Sequence, residues 1–99
     1  MPDLNLYLTD GFDNDHVVVY VEGRKVFEAE GVTTRKLLGL ARQLDPVSVA
    51  GNTARVDIEL PKKGLSAIIS ADLTRGSHVT VAIENERLTH SVHKQIGFT

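Results

Sequence analysis

Val56, Ile58 and Leu60 alternate with Arg55, Asp57 and Glu59, placing aliphatic side chains on one side of an extended backbone and charges on the other. The same period of two recurs in Leu4, Leu6 and Leu8, in Leu65, Ala67, Ile69, Ala71 and Leu73, and in Val79, Val81 and Ile83. A helix repeats its faces about every 3.6 residues and cannot bury rows spaced this way, so the chain is constrained to sheet. The residue types agree: 12 Val, 5 Ile and 8 Thr make up 25 of the 99 positions. Turn chemistry bounds the later rows, at Pro61-Lys62-Lys63-Gly64, Thr74-Arg75-Gly76-Ser77 and Glu84-Asn85-Glu86-Arg87. Strands are expected at 53–60, 65–73, 77–84 and 87–93, and links this short predict an antiparallel meander of all four.

In the first half, strand 3–9 precedes a hairpin of 16–22 and 25–30 across Glu22-Gly23-Arg24-Lys25. Pairing Val21 with Val26 sets Tyr20 opposite Phe27 and Val18 opposite Ala29, with Val17 and Val19 on the other face. Both faces of this hairpin are then apolar, so it is either covered on both sides or shows an apolar outer surface. Segment 33–44 is the candidate cover, with Leu37, Leu40, Ala41 and Leu44 at i, i+3, i+4 and i+7 and Thr33 or Thr34 at its start. Gly39 costs a helix there about 1 kcal/mol, so the segment reads as a short helix or as an irregular crossover, ended by Asp45-Pro46. Val47-Ser48-Val49 reads as a short edge strand. The expected fold is therefore all-β: a single domain over 1–99, an antiparallel β-sandwich of seven to eight strands with at most one short helix.

Eleven Lys and Arg against 13 Asp and Glu give a net charge of -2 with the signs interspersed, which predicts neither a nucleic-acid nor a membrane partner. The absence of cysteine removes disulfides, thiolate metal sites and thiol nucleophiles, and it fits a reducing compartment. Met1-Pro2-Asp3-Leu4-Asn5 has neither the basic nor the apolar region of an export signal, so a cytoplasmic location is expected. No phosphate-cradling glycine loop, His-Glu-x-x-His or Gly-x-Ser-x-Gly stands in the chain, and no enzyme is expected.

Three constellations remain. Asp10-Gly11-Phe12-Asp13-Asn14-Asp15 concentrates oxygen donors, and Asp10, Asp13, Asn14 and Asp15 are candidate ligands for calcium, which takes six to eight such oxygens; the alternative is a solvated loop bonded to its own backbone. A two-residue turn at Asn85-Glu86 pairs His78 with His93 on the outward face, half of a tetrahedral metal site at most, and directs His90 inward beside Val81 and Val92. Finally, Tyr7, Val18, Tyr20 and Phe27 are candidates for an apolar patch that meets a protein partner or a second copy, unless 33–44 covers them.

The stretch Asp10 to Lys25, with its acidic loop, Val17-Val18-Val19-Tyr20-Val21 and Glu22-Gly23, resembles the first hairpin of small calcium-dependent xylan-binding β-sandwich modules. That resemblance implies calcium near Asp10, Asp13 and Asp15 with sugar hydroxyls completing its shell. Most of the chain, through Glu30-Gly31-Val32-Thr33-Thr34 and Leu60-Pro61 to Gly97-Phe98, also resembles short uncharacterised bacterial β-sandwich proteins, which implies a fold and no activity. The function expected is a non-enzymatic binding or protein-interaction module, with a calcium-dependent, carbohydrate-binding module as the alternative.

Overall fold

The computed structural model describes residues 3–94 apart from Lys36 and Leu38. Among these residues nine strands follow in chain order: β1 (Asp3–Leu8), β2 (Asp15–Val21), β3 (Arg24–Val32), β4 (Arg42–Gln43), β5 (Val47–Ser48), β6 (Thr53–Leu60), β7 (Leu65–Asp72), β8 (His78–Glu84) and β9 (Arg87–His93). They form two sheets. One runs β4-β1-β8-β9, with β5 beside β4 along the same side of β1; the other runs β3-β2-β6-β7. The expected alternation places the core: Leu4, Leu6, Leu8, Val79 and Val81 from the first sheet meet Val17, Val19, Val21, Val56, Ile58, Leu60 and Ile69 from the second. The fold is an all-β sandwich, and no helix among the described residues is long and apolar enough to cross a membrane.

Local readings survive better than pairings. The β8–β9 turn has positive φ at Asn85 and Glu86, and it sets His78 against His93, Val81 against His90 and Ile83 against Leu88, as the two-residue turn predicts. The four-strand meander, by contrast, is corrected. β6–β7 and β8–β9 are separate hairpins in opposite sheets, and β8 takes β1 as a parallel neighbour, with Leu6 beside Val79 and Leu8 beside Val81. Two hairpins that each carry one apolar row bury both rows by stacking, whereas one flat sheet would leave them uncovered. Gly76 makes the crossing possible: a Cβ there would collide with the His93 carbonyl and the Lys94 nitrogen.

The β2–β3 register also differs. Glu22 and Gly23 alone form the turn, both at positive φ, so Val21 pairs with Arg24 and Tyr20 with Lys25. A register shift follows, after which Val19 pairs with Phe27, Val18 with Glu28 and Val17 with Ala29. Phe27 thereby joins the core-facing row instead of facing Tyr20. Segment 33–44 holds no helix among its described residues. Arg35 N–H donates to the Leu40 carbonyl (3.0 Å) and Gly39 N–H to the Arg35 carbonyl (2.9 Å), closing a turn around Gly39 at positive φ, with Leu37 93% exposed. The chain then pairs as β4 with Tyr7 and Leu8, continues through Leu44 N–H to the Leu6 carbonyl (3.0 Å), and resumes as β5 after Asp45-Pro46. The open side of β1 needs backbone partners, and an extended segment supplies them where a helix could not.

Candidate functional site

The structure turns the acidic loop into a scaffold. The Phe12 side chain is buried; its N–H donates to Thr34 Oγ1 (3.0 Å), and the Thr34 hydroxyl donates to the Thr9 carbonyl (2.6 Å). Asn14 N–H donates to Thr33 Oγ1 (2.9 Å), and the Asp10 carbonyl accepts from Ile83 N–H (2.8 Å). Gly11, at positive φ, lies so close to Ile83 that a Cβ would strike its carbonyl. Asp10 and Asp13 line a shallow cleft with Thr33 and Thr34, but Asp15 is elsewhere. Only 3% exposed, Asp15 accepts from Asp13 N–H (2.9 Å), and the Lys63 ammonium reaches its two oxygens at 3.0 and 3.1 Å. A carboxylate so engaged has little to offer a cation. No group of three or more His, Asp or Glu side chains among the described residues is arranged to hold a metal ion.

The four patch residues are placed on three surfaces. Tyr7 lies on the outer face of the first sheet, 5% exposed, with its hydroxyl 2.9 Å from His78 Nδ1. Val18 and Tyr20 belong to the outer face of the second sheet, and Phe27 sits under the Arg42 guanidinium, 5.5 Å from its ring centre. His78 and His93 pair as expected, and His93 Nε2 lies 3.3 Å from Thr80 Oγ1. His90 is the exception: it keeps its register opposite Val81 but is exposed, on β9, the last strand of its sheet.

The surface that stands out was not singled out by sequence reasoning. β7 is the last strand of its sheet, and its eight residues pair with β6 in unbroken register. Two backbone bonds settle which of its groups are unpaired. Glu22 N–H donates to the Arg55 carbonyl and Leu73 N–H to the Asn52 carbonyl. In an antiparallel ladder the bonded pairs alternate, so Arg55, Asp57 and Glu59 of β6 bond toward β2, while Ala54, Val56, Ile58 and Leu60 bond toward Ala71, Ile69, Ala67 and Leu65. The N–H and C=O groups of Ser66, Ile68 and Ser70 therefore point away from β6, on the flank where β9 of the other sheet runs close to β7. Their side chains form the outer row of β7, where Ile68 is 69% exposed.

No charged residue occurs from Leu65 to Ala71. Where the edge begins, Lys63, Leu65, Ile83 and Glu86 line an open cleft of about 420 Å³. Where it ends, the hydroxyl and N–H of Thr74 both donate to Asp72 Oδ1, at 2.6 and 3.0 Å, and hold that carboxyl below its ordinary range. Leu65, Ile83, Leu88 and Val92 are half-buried along the same flank. A signal was present in the sequence: the water-facing row of 65–71 reads Ser-Ile-Ser, whereas the equivalent row of 53–60 carries Arg55, Asp57 and Glu59. The chain matches no protein-family profile, no curated protein and no solved structure.

Proposed function

We propose that this chain is a non-catalytic interaction module that takes up an extended protein segment along β7 by strand addition. The observation that carries the reading is the charge-free edge of unbroken register, with backbone groups pointing away from β6 at Ser66, Ile68 and Ser70 and an exposed Ile68 at its centre. Backbone bonds to an added strand supply affinity without regard to sequence, and alternate side chains supply selectivity. Covering Ile68 adds on the order of 1 to 2 kcal/mol. A cysteine-free composition agrees with a cytoplasmic location for such a module.

Selection of extended peptides of roughly ten residues against the folded protein tests the reading. Selected peptides are expected to slow hydrogen exchange at the Ser66, Ile68 and Ser70 amides, and Ile68→Lys is expected to abolish their uptake. Peptides that protect amides elsewhere, or a selection that yields none, would refute it.

A further inference from the structure

We infer that the strand β7 takes up is β7 of a second copy, antiparallel, with Ile68 opposite Ile68. This inference rests on the strand-addition reading and names its occupant. In that register Ser66 of each copy faces Ser70 of the other, and Ala67 faces Ile69, so the strand meets itself with no like-charged pair opposed. The outward-bonding residues of one copy also fall opposite those of the other. Ser66 with Ser70, Ile68 with Ile68 and Ser70 with Ser66 each exchange two N–H···O bonds, about six in all. A one-residue slip would set outward groups against inward ones and lose this match.

Closure points the same way. An isologous pair consumes the β7 edge of both copies. The sheet's other edge, β3, carries Arg24, Lys25, Glu28 and Glu30 and two register shifts, devices that discourage pairing, so this sheet offers no second edge for further association. One strand edge with its half-buried flank lies at the low end of stable interfaces, near about 1,200 Å², which predicts dissociation on the order of 10 to 100 µM.

Sedimentation of the wild type across that range, together with hydrogen exchange at its two ends, provides the test. The expected result is a monomer–dimer equilibrium in which the Ser66, Ile68 and Ser70 amides become protected with concentration while those of Ala67 and Ile69 do not change. Ile68→Lys and Ile68→Glu are each expected to be monomeric with an unchanged far-ultraviolet spectrum, dissociating at least about 100-fold more weakly, and an equimolar mixture of the two is expected to dimerise. A wild type that stays monomeric, a dimer indifferent to Ile68→Lys, a mixture that stays monomeric, or assembly beyond two copies overturns the inference. A monomer that still takes up a selected peptide on β7 overturns self-pairing alone and leaves the strand-addition reading standing, whereas a dimer whose protected amides lie elsewhere overturns both.

Discussion

The two flanks of this sandwich use similar materials and finish them differently. At the β3–β4 flank, Val26, Phe27, Ala29, Ala41 and Val47 are half-buried, and Arg42 of one sheet lies over Phe27 of the other. The outer row of β3 is charged, its register shifts twice, and Asp45-Pro46 interrupts the neighbouring edge. Along the β7–β9 flank, Leu65, Leu73, Ile83, Leu88 and Val92 are equally half-buried, yet no ion pair among the described residues involves β7. Both flanks bury a similar class of side chain, so the demands of the core do not explain the contrast. Charges, bulges and proline are the ordinary means of keeping a sheet edge from pairing, and one flank has all three.

The sharpest way to break this comparison is to cut the tie between the flanks. Lys63, in the turn that leads into β7, holds the buried Asp15 at the head of β2. Lys63→Ala leaves a buried carboxylate with only the Asp13 N–H, which is expected to cost about 1 to 3 kcal/mol in urea denaturation. Adding Asp15→Asn should recover part of that loss, since the uncompensated charge is then gone. An unchanged midpoint in Lys63→Ala would mean that the two flanks are not joined there. A smaller effect is expected from opening the guarded flank itself. Arg42→Ala uncovers Phe27 and is expected to cost about 0.5 to 1 kcal/mol by the same measurement. Equal stability would show that the guanidinium contributes no closure.

How far all this could be read in advance depends on the distance over which each feature is decided. Period two places Val56, Ile58 and Leu60 in the core from local sequence alone, and the Asn85-Glu86 turn determines the β8–β9 register within two residues. The parallel pairing of β1 with β8 is decided by how two hairpins stack, which no stretch of either strand encodes. β4 is two residues long and carries no pattern; it forms because β1 has an unsatisfied side. The displacement of Phe27 follows from a bulge that sequence spacing cannot reveal, and with it the proposed Tyr20–Phe27 contact disappears. Asp15 resembles its exposed neighbours until Lys63, distant in sequence, comes to meet it. The bare row at Ser66, Ile68 and Ser70 was the legible part of the candidate site; the direction of its backbone groups needed the ladder.

The smallest expected effect concerns the charges that guard β3. Glu28 lies on the outer row with Lys25 Nζ at 2.9 Å and His16 Nε2 at 2.8 Å. The bond from Lys25, and after it the one from His16, hold the Glu28 carboxyl below its ordinary value of 4.5, and the Glu28 bond raises Lys25 above 10.5. A carboxyl depressed by folding contributes stability that is present above its unfolded value and disappears as the pH falls through the folded one; a raised amine contributes below its unfolded value and loses that contribution as the pH rises through the folded one. Both partners are exposed, so the contribution is small and screened by salt. Glu28→Gln is accordingly expected to melt slightly below the wild type near neutral pH, and the two melting curves should converge as the pH falls below 4.5 and again in strong salt. A gap that persists in acid would assign the effect to packing against Val18, and the charges on β3 would then serve only to keep other strands away.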